Sequence, residues 1–558
     1  MKNLLRFFSK HKYTLLIITF FIIFICGLIA KTPFKEAFEY NRDEGAALIK
    51  STLLLNGFSL YKEIWYDQPP LFPVILSYWF KFFGSSIYHA RILVLIFSFL
   101  LLSAFYFIIK IREGRFCAFI AVIFLLLSTG YLLLSVSVMR GIPALSLAMV
   151  SILFLTLYRK LYLKRFLILS GIFMALSLQT KLSGFFLIPI IILEIIQVKR
   201  QSLEKHGQNL SSAFLWLIAM VLAFLSINIL FFHLDFQMFV QQLLQPHLNN
   251  LPFLKNNFSV LWKMLQDDFD IALLALTGII LIIKQRRRES FFPLIWLAMV
   301  TIMLLKHKPI WYSYYPLISI PICWLGAINF AKFFSKSNLY TRISRKFYFS
   351  LIILPLAIFT IFQLPSKYQR TQKSLLGRSS AQERRVLDVL SKYKKNTRWI
   401  FTDRAIFAFY SDIFVPPELV LISIKRILTN KLEPGYLINK LEKYKPELIL
   451  LTGYLETFPG YYSKIIPYIE KNYNLAYKNE FLSPKPVPPG SLLIWFKEPI
   501  GKYLPPQIRH INNKGFYNLI WNSLQIPIPR IYALPNWVDS KTKIKILTRK
   551  DILQRNNL

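Results

Sequence analysis

The sequence predicts a polytopic α-helical membrane protein of about 11–13 transmembrane helices, followed by a small α/β domain outside the membrane. The first observation is composition: 55% of the 558 residues are hydrophobic and 50 are Phe, which excludes an ordinary soluble domain. The second is that long apolar runs alternate with short basic segments up to residue 365. The third is the change to a mixed polar and apolar composition after Pro365.

About eleven apolar runs approach the length of roughly 20 residues that a membrane-spanning helix requires. The runs are 13–30, 87–109, 117–134, 141–158, 166–178, 182–197, 212–232, 270–284, 291–305, 311–330 and 348–364. The first run is long for a signal peptide and lacks a clear cleavage site, so we interpret it as a retained span. Residues 70–83 are also apolar, and whether they span depends on the sidedness of the connecting segments.

Lysine and arginine cluster in the segments that connect the apolar runs. The clusters are at 2–12, 110–115, 159–165, 199–205, 284–288 and 332–346. If 70–83 is interfacial or re-entrant, all of them lie on one side, which the positive-inside rule identifies as the cytoplasm. The N-terminus is then cytoplasmic. The outer side receives 31–86, 135–140, 179–181, 233–269, 306–310 and everything after 365.

The formal net charge of the chain is +40. Because the basic residues are dispersed among apolar runs, they favour orientation in a bilayer and contacts with anionic lipid headgroups over nucleic-acid binding. The three cysteines, Cys26, Cys117 and Cys323, all lie inside apolar runs. The sequence therefore predicts neither a disulfide framework nor a cysteine metal site.

The chain is predicted to divide into three parts. Residues 1–365 form the membrane domain, with 31–86 as its first outer loop, and 366–498 form the small α/β domain. The pattern in that domain predicts a helix and several strands, at 380–395, 399–402, 448–451, 473–478 and 492–496. The tail 499–558 is basic and has no clear period, so no structure is predicted for it.

An acidic pair, Asp43 and Glu44, lies in the first predicted outer loop. A carboxylate at a membrane boundary is costly unless it is solvated, paired or functional, so this pair is a candidate for acid–base catalysis. The alternative is a solvated pair that caps a helix beginning near Gly45.

A second acidic segment reads Asp67-Gln68-Pro69-Pro70. Asp67 is a candidate substrate contact, and its structural alternative is that it caps the N-terminus of helix 70–83. Both roles are compatible with one side chain.

Candidate phosphate-binding groups collect on the same predicted outer side. They are Arg91, Arg140, Lys181, His247, Lys306, Lys308 and Tyr312. Lys181 occupies a tight turn, and Lys306-His307-Lys308 is the basic run that departs from the positive-inside pattern, which indicates an anionic partner. The alternatives are snorkelling lysines and arginines, an interfacial aromatic belt and a structural histidine.

Taken in order, these motifs resemble the lipid-phosphate-dependent glycosyltransferases of the GT-C fold. The similarity is to the bacterial branch related to protein O-mannosyltransferases and to the lipid A aminoarabinose transferase, and it covers residues 10–365. It implies that Asp43, the first residue of the acidic pair, is the catalytic carboxylate. In this family the segment corresponding to Tyr66–Pro70 carries a lysine that contacts the lipid phosphate, and Gln68 stands at its position.

This departure at Gln68 implies that another cation contacts the phosphate, first Lys181 and then Lys306 or Lys308. The resemblance also places His247 near the lipid carrier. It implies phosphate and donor contacts from Tyr312 or Tyr315.

The implied activity is transfer of a sugar from a polyprenyl phosphate, such as undecaprenyl phosphate, to a hydroxyl of a lipid, glycan or protein. The implied location is the inner (plasma) membrane, with the C-terminal domain extracytoplasmic and no nucleic-acid partner. No cofactor is required, although some distant relatives in the fold use an auxiliary divalent metal. Glycine-rich phosphate loops and dinucleotide motifs are missing from the sequence, which favours an already activated donor.

An alternative interpretation is a different class of protein, a multispan transporter or flippase of lipid-linked sugars. That interpretation predicts charged residues near the middle of spans and broken helices. Here the polar residues collect at one rim of the predicted bundle, which favours an enzyme.

Overall fold

In a computed structural model of the chain, the described residues are 37–197, 207–232, 237, 240–244, 257–285, 291–307, 310–334, 354–375, 381–452, 454–455, 458–479 and 544–549. The chain divides into two compact units. The helical unit contains Met1–Ala37, Arg91–Leu234 and Val260–Gly377. The mixed unit contains Phe38–Ala90, Asp235–Ser259 and Arg378–Leu558. The predicted span 13–30, the basic cluster 199–205 and the predicted strand 492–496 lie outside the described residues.

Apolar helices make up the helical unit, because only helices satisfy every backbone group within one apolar segment. Its α-helices are Ile87–Arg112 (from Arg91), Arg115–Leu127, Thr129–Val136, Gly141–Leu161, Lys164–Thr180, Ile188–Ile196, Gly207–Phe232, Asn257–Asp267 (from Val260), Phe269–Gln285, Phe292–Lys306, Pro316–Phe334 and Leu354–Leu375. Two 3₁₀ turns, Leu182–Leu187 and Tyr312–Tyr314, precede helices.

Among the described residues, three helices have the length and composition to cross a membrane. They are Ile87–Arg112, Gly141–Leu161 and Leu210–Leu230. A fourth span results if Arg115–Leu127 and Thr129–Val136, which are bent by 75° relative to each other, count as one. The predicted spans 117–134 and 182–197 are therefore not single uninterrupted helices: the first breaks at Ser128, and the second begins with a 3₁₀ turn.

Hydrogen bonds between helices hold this unit together. Ser151 Oγ donates to Ser170 O at 2.7 Å, Trp216 Nε1 donates to Ser170 Oγ at 3.0 Å, and Ser177 Oγ donates to Ala144 O at 2.7 Å. Small hydroxyl residues allow helices to approach closely and satisfy one another, which is typical of helix packing in membranes.

The mixed unit contains a sheet, which within the described residues has four strands in the order β1-β2-β4-β3. The strands are Ile400–Thr402 (β1), Leu448–Leu451 (β2), Tyr473–Asn479 (β3) and Ile544–Arg549 (β4). β1 pairs in parallel with β2, and β4 pairs antiparallel with both β2 and β3. β1, β2 and β3 match predicted strands, whereas β4 comes from the tail for which no structure was predicted.

Helices of the mixed unit precede, connect and follow these strands. They are Arg42–Leu55, Leu71–Phe83, Ala381–Tyr393, Ile406–Ser411, Ile424–Leu428, Pro434–Tyr444 and Pro459–Asn472, with a π-helical turn at Val240–Leu244 and 3₁₀ turns at Lys394–Asn396 and Pro417–Leu419. β1 and β2 are buried along their whole length, as expected for strands covered on both faces. Their core includes Ile449, Leu437 and Ile465, each fully buried.

The apolar segment 70–83 folds as the 13-residue helix Leu71–Phe83. At about 1.5 Å per residue it is about 20 Å long, shorter than the roughly 30 Å of a bilayer core, which fits an interfacial or re-entrant element. The helix begins after Pro70, which makes no side-chain cap hydrogen bond. The alternative that Asp67 is its N-cap is therefore wrong, because Asp67 lies three positions before Pro70.

Candidate active-site residues in each unit

The acidic pair lies in the first turn of helix Arg42–Leu55. Asn41 is the N-cap, and its side chain accepts a hydrogen bond from Asp43 N at 2.9 Å. Glu44 is fully buried and its Oε2 accepts a hydrogen bond from Tyr40 N at 2.7 Å, so it fixes the start of the helix. The capping alternative thus describes Glu44, whereas the side chain of Asp43 is exposed. Asp43 is the accessible carboxylate of the pair, at the end of the helix where the dipole favours negative charge.

A buried ion-pair network holds the segment that precedes this helix. The Arg404 guanidinium pairs with Glu39 at 2.9 Å and with Glu383 at 2.8 Å, and all three side chains are largely buried. The pairing with both carboxylates outweighs the effect of burial and raises the pKa of Arg404. Phe38 packs on the same guanidinium at 5.2 Å, and Tyr410 OH donates to Phe38 O at 3.0 Å.

Helix Arg42–Leu55 packs closely against helix Ile406–Ser411 at Gly45. A Cβ atom at Gly45 would lie 2.5 Å from the backbone nitrogen of Ile406, a distance that no side chain can occupy without displacement of backbone. Glycine is therefore required here for close packing, two residues after Asp43.

The second acidic segment is bound on several sides within the mixed unit. Trp65 N donates to Pro417 O at 3.2 Å, and the Arg426 guanidinium lies 4.1 Å from the centroid of the Trp65 ring. Tyr61 OH donates to Gln68 O at 2.7 Å, so the backbone of Gln68 is fixed. The side chains of Asp67 and Gln68 remain partly exposed.

In the helical unit, Lys181 meets the tyrosine-rich segment after helix Phe292–Lys306. Lys181 Nζ donates to Ser313 Oγ at 3.2 Å and lies 4.5 Å from the centre of the Tyr314 ring. Tyr314 OH hydrogen-bonds His307 Nε2 at 3.2 Å, and Arg140 lies within electrostatic range of Tyr314. The predicted candidates Lys181 and Arg140 therefore converge on one segment. A small cavity in this region is lined by Gly141, Ser177, Ser183 and Ser313.

Tyr312 and Tyr315 point to a carboxylate cluster that the sequence analysis missed. Tyr312 OH donates to Asp267 Oδ2 at 3.1 Å, and Tyr315 OH donates to Asp268 Oδ2. Asp268 also accepts from Ser128 Oγ at 2.5 Å and from the backbone of Thr129 at 3.3 Å, which satisfies the helix break at Ser128.

Lys367 pairs with two carboxylates of this cluster. Its Nζ lies 3.1 Å from Asp268 and 2.6 Å from Asp270. The signal in the sequence was Asp267-Asp268-Phe269-Asp270, an acidic run directly before an apolar one. The network fixes Tyr312 and Tyr315 on either side of Ser313 and Tyr314.

The remaining predicted candidates are not part of the contacts described above. Arg91 is fully buried and its Nη1 donates to Ala37 O at 2.9 Å, which is a structural contact. Lys306 is exposed at the end of its helix. His247 and Lys308 lie outside the described residues. Within the described part of the chain, no group of three or more His, Cys, Asp or Glu side chains could hold a metal ion.

Comparison with known proteins gives one family-model match. Residues 67–229 match the model described as dolichyl-phosphate-mannose-protein mannosyltransferase. No curated protein matches the chain at the sequence level.

Solved structures match over most of the chain. ArnT from Cupriavidus metallidurans bound to undecaprenyl phosphate is 12% identical, with a TM-score of 0.59, over 82% of this chain and 96% of that one. The Archaeoglobus fulgidus oligosaccharyltransferase tethered with an acceptor peptide is 12% identical, with a TM-score of 0.55, over 98% of this chain and 89% of that one. The archaeal oligosaccharyltransferase AglB from Archaeoglobus fulgidus, in complex with an inhibitory peptide and a dolichol-phosphate, has a TM-score of 0.53 at 11% identity, over 97% of this chain and 89% of that one.

At identities of 11–12% these likenesses show the fold alone, and they cover 82–98% of this chain. Together with the family-model match, they agree with the polytopic helical membrane architecture predicted from the sequence. The chain therefore shares the fold of ArnT and of the Archaeoglobus fulgidus oligosaccharyltransferase.

Proposed function

We propose that this protein transfers a sugar from a polyprenyl phosphate to an acceptor hydroxyl at the outer surface of the plasma membrane. The observation that carries the proposal is the exposed carboxylate of Asp43, in the first turn of a helix whose start is fixed by Glu44 and by the ion pair of Arg404 with Glu39. A rigidly held, accessible carboxylate is what activation of a hydroxyl requires.

The reaction is a single displacement at C1 of the sugar. Asp43 accepts the proton of the acceptor hydroxyl while the hydroxyl oxygen bonds to C1. The bond between C1 and the phosphate oxygen breaks, and its electron pair leaves with the polyprenyl phosphate. Attack from the face opposite the phosphate inverts the configuration at C1.

The leaving phosphate requires fixed positive charge. In the helical unit we assign this role to Lys181, since its ammonium group is held by Ser313 and by the ring of Tyr314. Arg140 adds positive charge near the same segment. Lys306, Lys308 and His247 stay predicted contacts of the donor.

The proposed organisation follows the sequence. Residues 1–365 form the membrane domain with a cytoplasmic N-terminus, and its last described helix continues to Leu375. Residues 366–498 contribute the extracytoplasmic α/β domain, and the tail 499–558 adds strand β4 to the sheet of that domain. The proposal is supported by the similar structures, of which ArnT is bound to undecaprenyl phosphate and AglB is in complex with a dolichol-phosphate. By analogy we infer undecaprenyl phosphate as the carrier here, with a lipid, glycan or protein as acceptor.

The deciding experiment measures sugar transfer by the purified full chain from synthetic undecaprenyl-phosphate sugars, with products detected by mass spectrometry. Asp43→Asn should lower the transfer rate by about 10²- to 10⁴-fold, the usual contribution of a general base, while donor binding stays unchanged. Asp388→Asn is the matched control, since Asp388 is an exposed aspartate of helix Ala381–Tyr393. Equal rates for Asp43→Asn and wild type would refute the assignment.

A transporter of lipid-linked sugars is the second candidate, and the 75° bend between Arg115–Leu127 and Thr129–Val136 favours it, because transporters use broken helices. Against it, the polar contacts at this break belong to Asp268, at the start of its own helix and paired with Lys367. In proteoliposomes, movement of a labelled lipid-linked sugar across the bilayer without transfer to an acceptor would support transport.

A further inference from the structure

A buried arginine of the mixed unit has hydrogen-bond donors without acceptors. Arg426 is 2% exposed, and its Nη1 donates to Glu418 O at 3.1 Å and to Leu421 O at 2.7 Å. Its Nε and Nη2 have no hydrogen-bond partner among the residues that the structure describes. Buried donors are almost always paired, so this side chain lacks an acceptor.

A second buried donor lies in the same region. The hydroxyl of Tyr461 also has no hydrogen-bond partner in the described part of the chain, and Tyr461 lies within electrostatic range of Arg426. Tyr461 is 9% exposed. Three donor groups on two buried side chains are therefore available to one ligand.

The neighbourhood carries more positive than negative charge. Lys425 precedes Arg426 on helix Ile424–Leu428 and is partly exposed, so it gives the cluster an accessible side. Asp67 is a negative neighbour of both cations. The carboxylate of Glu418 is engaged by Lys440 at 2.9 Å, and by Lys443 and Tyr444.

Burial affects the protonation of both cations. It lowers the pKa of Arg426 to about 10, with Asp67 among the groups that oppose the shift. Burial also lowers the pKa of Lys425; Asp67 opposes this shift and Lys431 adds to it. In both cases burial disfavours the charged form, and a bound anion would favour it.

We propose that Lys425, Arg426 and Tyr461 bind a phosphate group beside the segment Trp65–Gln68. A phosphate presents three acceptor oxygens, and each can accept more than one hydrogen bond. They are enough for four donors: Nε and Nη2 of Arg426, the hydroxyl of Tyr461 and the ammonium group of Lys425. The Trp65 ring lies 4.1 Å from the guanidinium of Arg426, and Asp67 lies within electrostatic range of both cations.

This site deepens the proposed function and rests on it for the source of the phosphate. The group could belong to the polyprenyl carrier or to a phosphorylated acceptor, and the two sources have the same chemistry at this site.

The test measures binding of undecaprenyl phosphate to the purified full chain, with undecaprenol as the uncharged probe and inorganic phosphate as the soluble probe. Lys425→Gln should weaken binding of undecaprenyl phosphate about tenfold, and Tyr461→Phe about fivefold, with no change for undecaprenol. Lys425→Arg should retain binding because it keeps the charge. The controls are Lys464→Gln, an exposed lysine of helix Pro459–Asn472, and Tyr462→Phe, next to Tyr461.

The outcomes separate the two sources. If undecaprenyl phosphate binding falls in Lys425→Gln and Tyr461→Phe, the site binds the carrier. If only inorganic phosphate binding falls, the site binds a phosphorylated acceptor. If both probes bind these variants as they bind wild type, the proposed phosphate site is refuted. This holds even if sugar transfer still depends on Asp43. If the wild-type chain transfers no sugar but its phosphate binding still depends on Lys425, the proposed function is refuted and the phosphate site is retained.

Discussion

Arg404 and Glu39 form a buried ion pair of 2.9 Å between residues 365 positions apart in the chain. Glu39 lies in the segment that leads into helix Arg42–Leu55, and Arg404 follows β1. The pair, with Glu383 as a third member, fixes the segment just before Asp43. The position of the proposed catalytic carboxylate therefore depends on residues that come after the membrane domain in the sequence.

Arg404→Met should destabilise the mixed unit by about 3–5 kcal/mol, because it leaves Glu39 and Glu383 buried without a partner. It should also lower the transfer rate more than the affinity for donor, since it releases the segment that carries Asp43. Arg404→Lys should recover part of both losses. Denaturant unfolding and steady-state kinetics measure the two effects.

Lys394→Met is the control for Arg404→Met. Lys394 pairs with Asp412 at 3.1 Å, but both side chains are exposed, so its loss should cost about 0–1 kcal/mol. If Arg404→Met costs no more than Lys394→Met, the network does not stabilise this segment.

Gly45→Ala should disturb the same region through the backbone. A Cβ at position 45 would lie 2.5 Å from Ile406 N and 2.8 Å from Ile406 Cα, so helix Arg42–Leu55 has to move away from Ile406–Ser411. We expect a loss of stability of about 1–3 kcal/mol from this overpacking and a fall in the transfer rate. Gly435→Ala is the control, because no atom lies within 4 Å of a Cβ there. A Gly45→Ala variant as stable as Gly435→Ala would contradict the close packing.

The sequence predicted those features that depend on local pattern. The short apolar strands β1 and β2, the acidic pair and the Lys181 turn all follow from composition and periodicity over a few residues. The pairing of Arg404 with Glu39 could not be predicted, because a lone arginine after a strand gives no sign of a partner 365 positions away. β4 was missed for a related reason: its pairing with β2 and β3 comes from tertiary structure.

The helix break at Ser128 was missed for a physical reason as well. Hydrophobicity alone predicts one span at 117–134, because the residues on both sides of Ser128 are mostly apolar. The break is satisfied by a distant carboxylate, Asp268, which accepts from Ser128 Oγ and from Thr129 N. A run of acidic residues before an apolar helix is therefore a useful signal for such a partner.

Tyr315→Phe should loosen the segment that carries Ser313. It removes the hydroxyl that donates to Asp268 and leaves this buried carboxylate one hydrogen bond short, which costs about 1–3 kcal/mol. The expected result is lower thermal stability and weaker donor binding. Tyr368→Phe is the control, since Tyr368 is 60% exposed. Identical thermal stability and donor affinity in the two variants would show that the hydroxyl of Tyr315 positions nothing.

Lys181→Gln should weaken donor binding about tenfold, because it removes a fixed positive charge from the proposed phosphate contact. The neutral glutamine can still hydrogen-bond Ser313, so the fold should be retained. The measurement is the affinity for undecaprenyl phosphate by titration in detergent. Lys160→Gln, at an exposed position near the end of helix Gly141–Leu161, should bind as wild type does. Unchanged affinity in Lys181→Gln would remove this lysine from the site.

Phosphate binding at the proposed site should weaken at high pH, and replacing Lys425 by arginine should reduce this weakening. Burial lowers the pKa of Lys425 from the ordinary value of 10.5, so its positive charge is lost at a lower pH than that of an exposed lysine. Since phosphate binding requires the protonated ammonium group, affinity should be full at neutral pH and fall as the pH rises through that lowered pKa. Lys425→Arg should lose less affinity over the same range, because the ordinary pKa of arginine lies above that of lysine, while Arg426 titrates in the same way in both proteins. Parallel titrations of the wild type and Lys425→Arg with inorganic phosphate between pH 7 and about 10 measure the difference, and superimposable curves would show that Lys425 is not the titrating group.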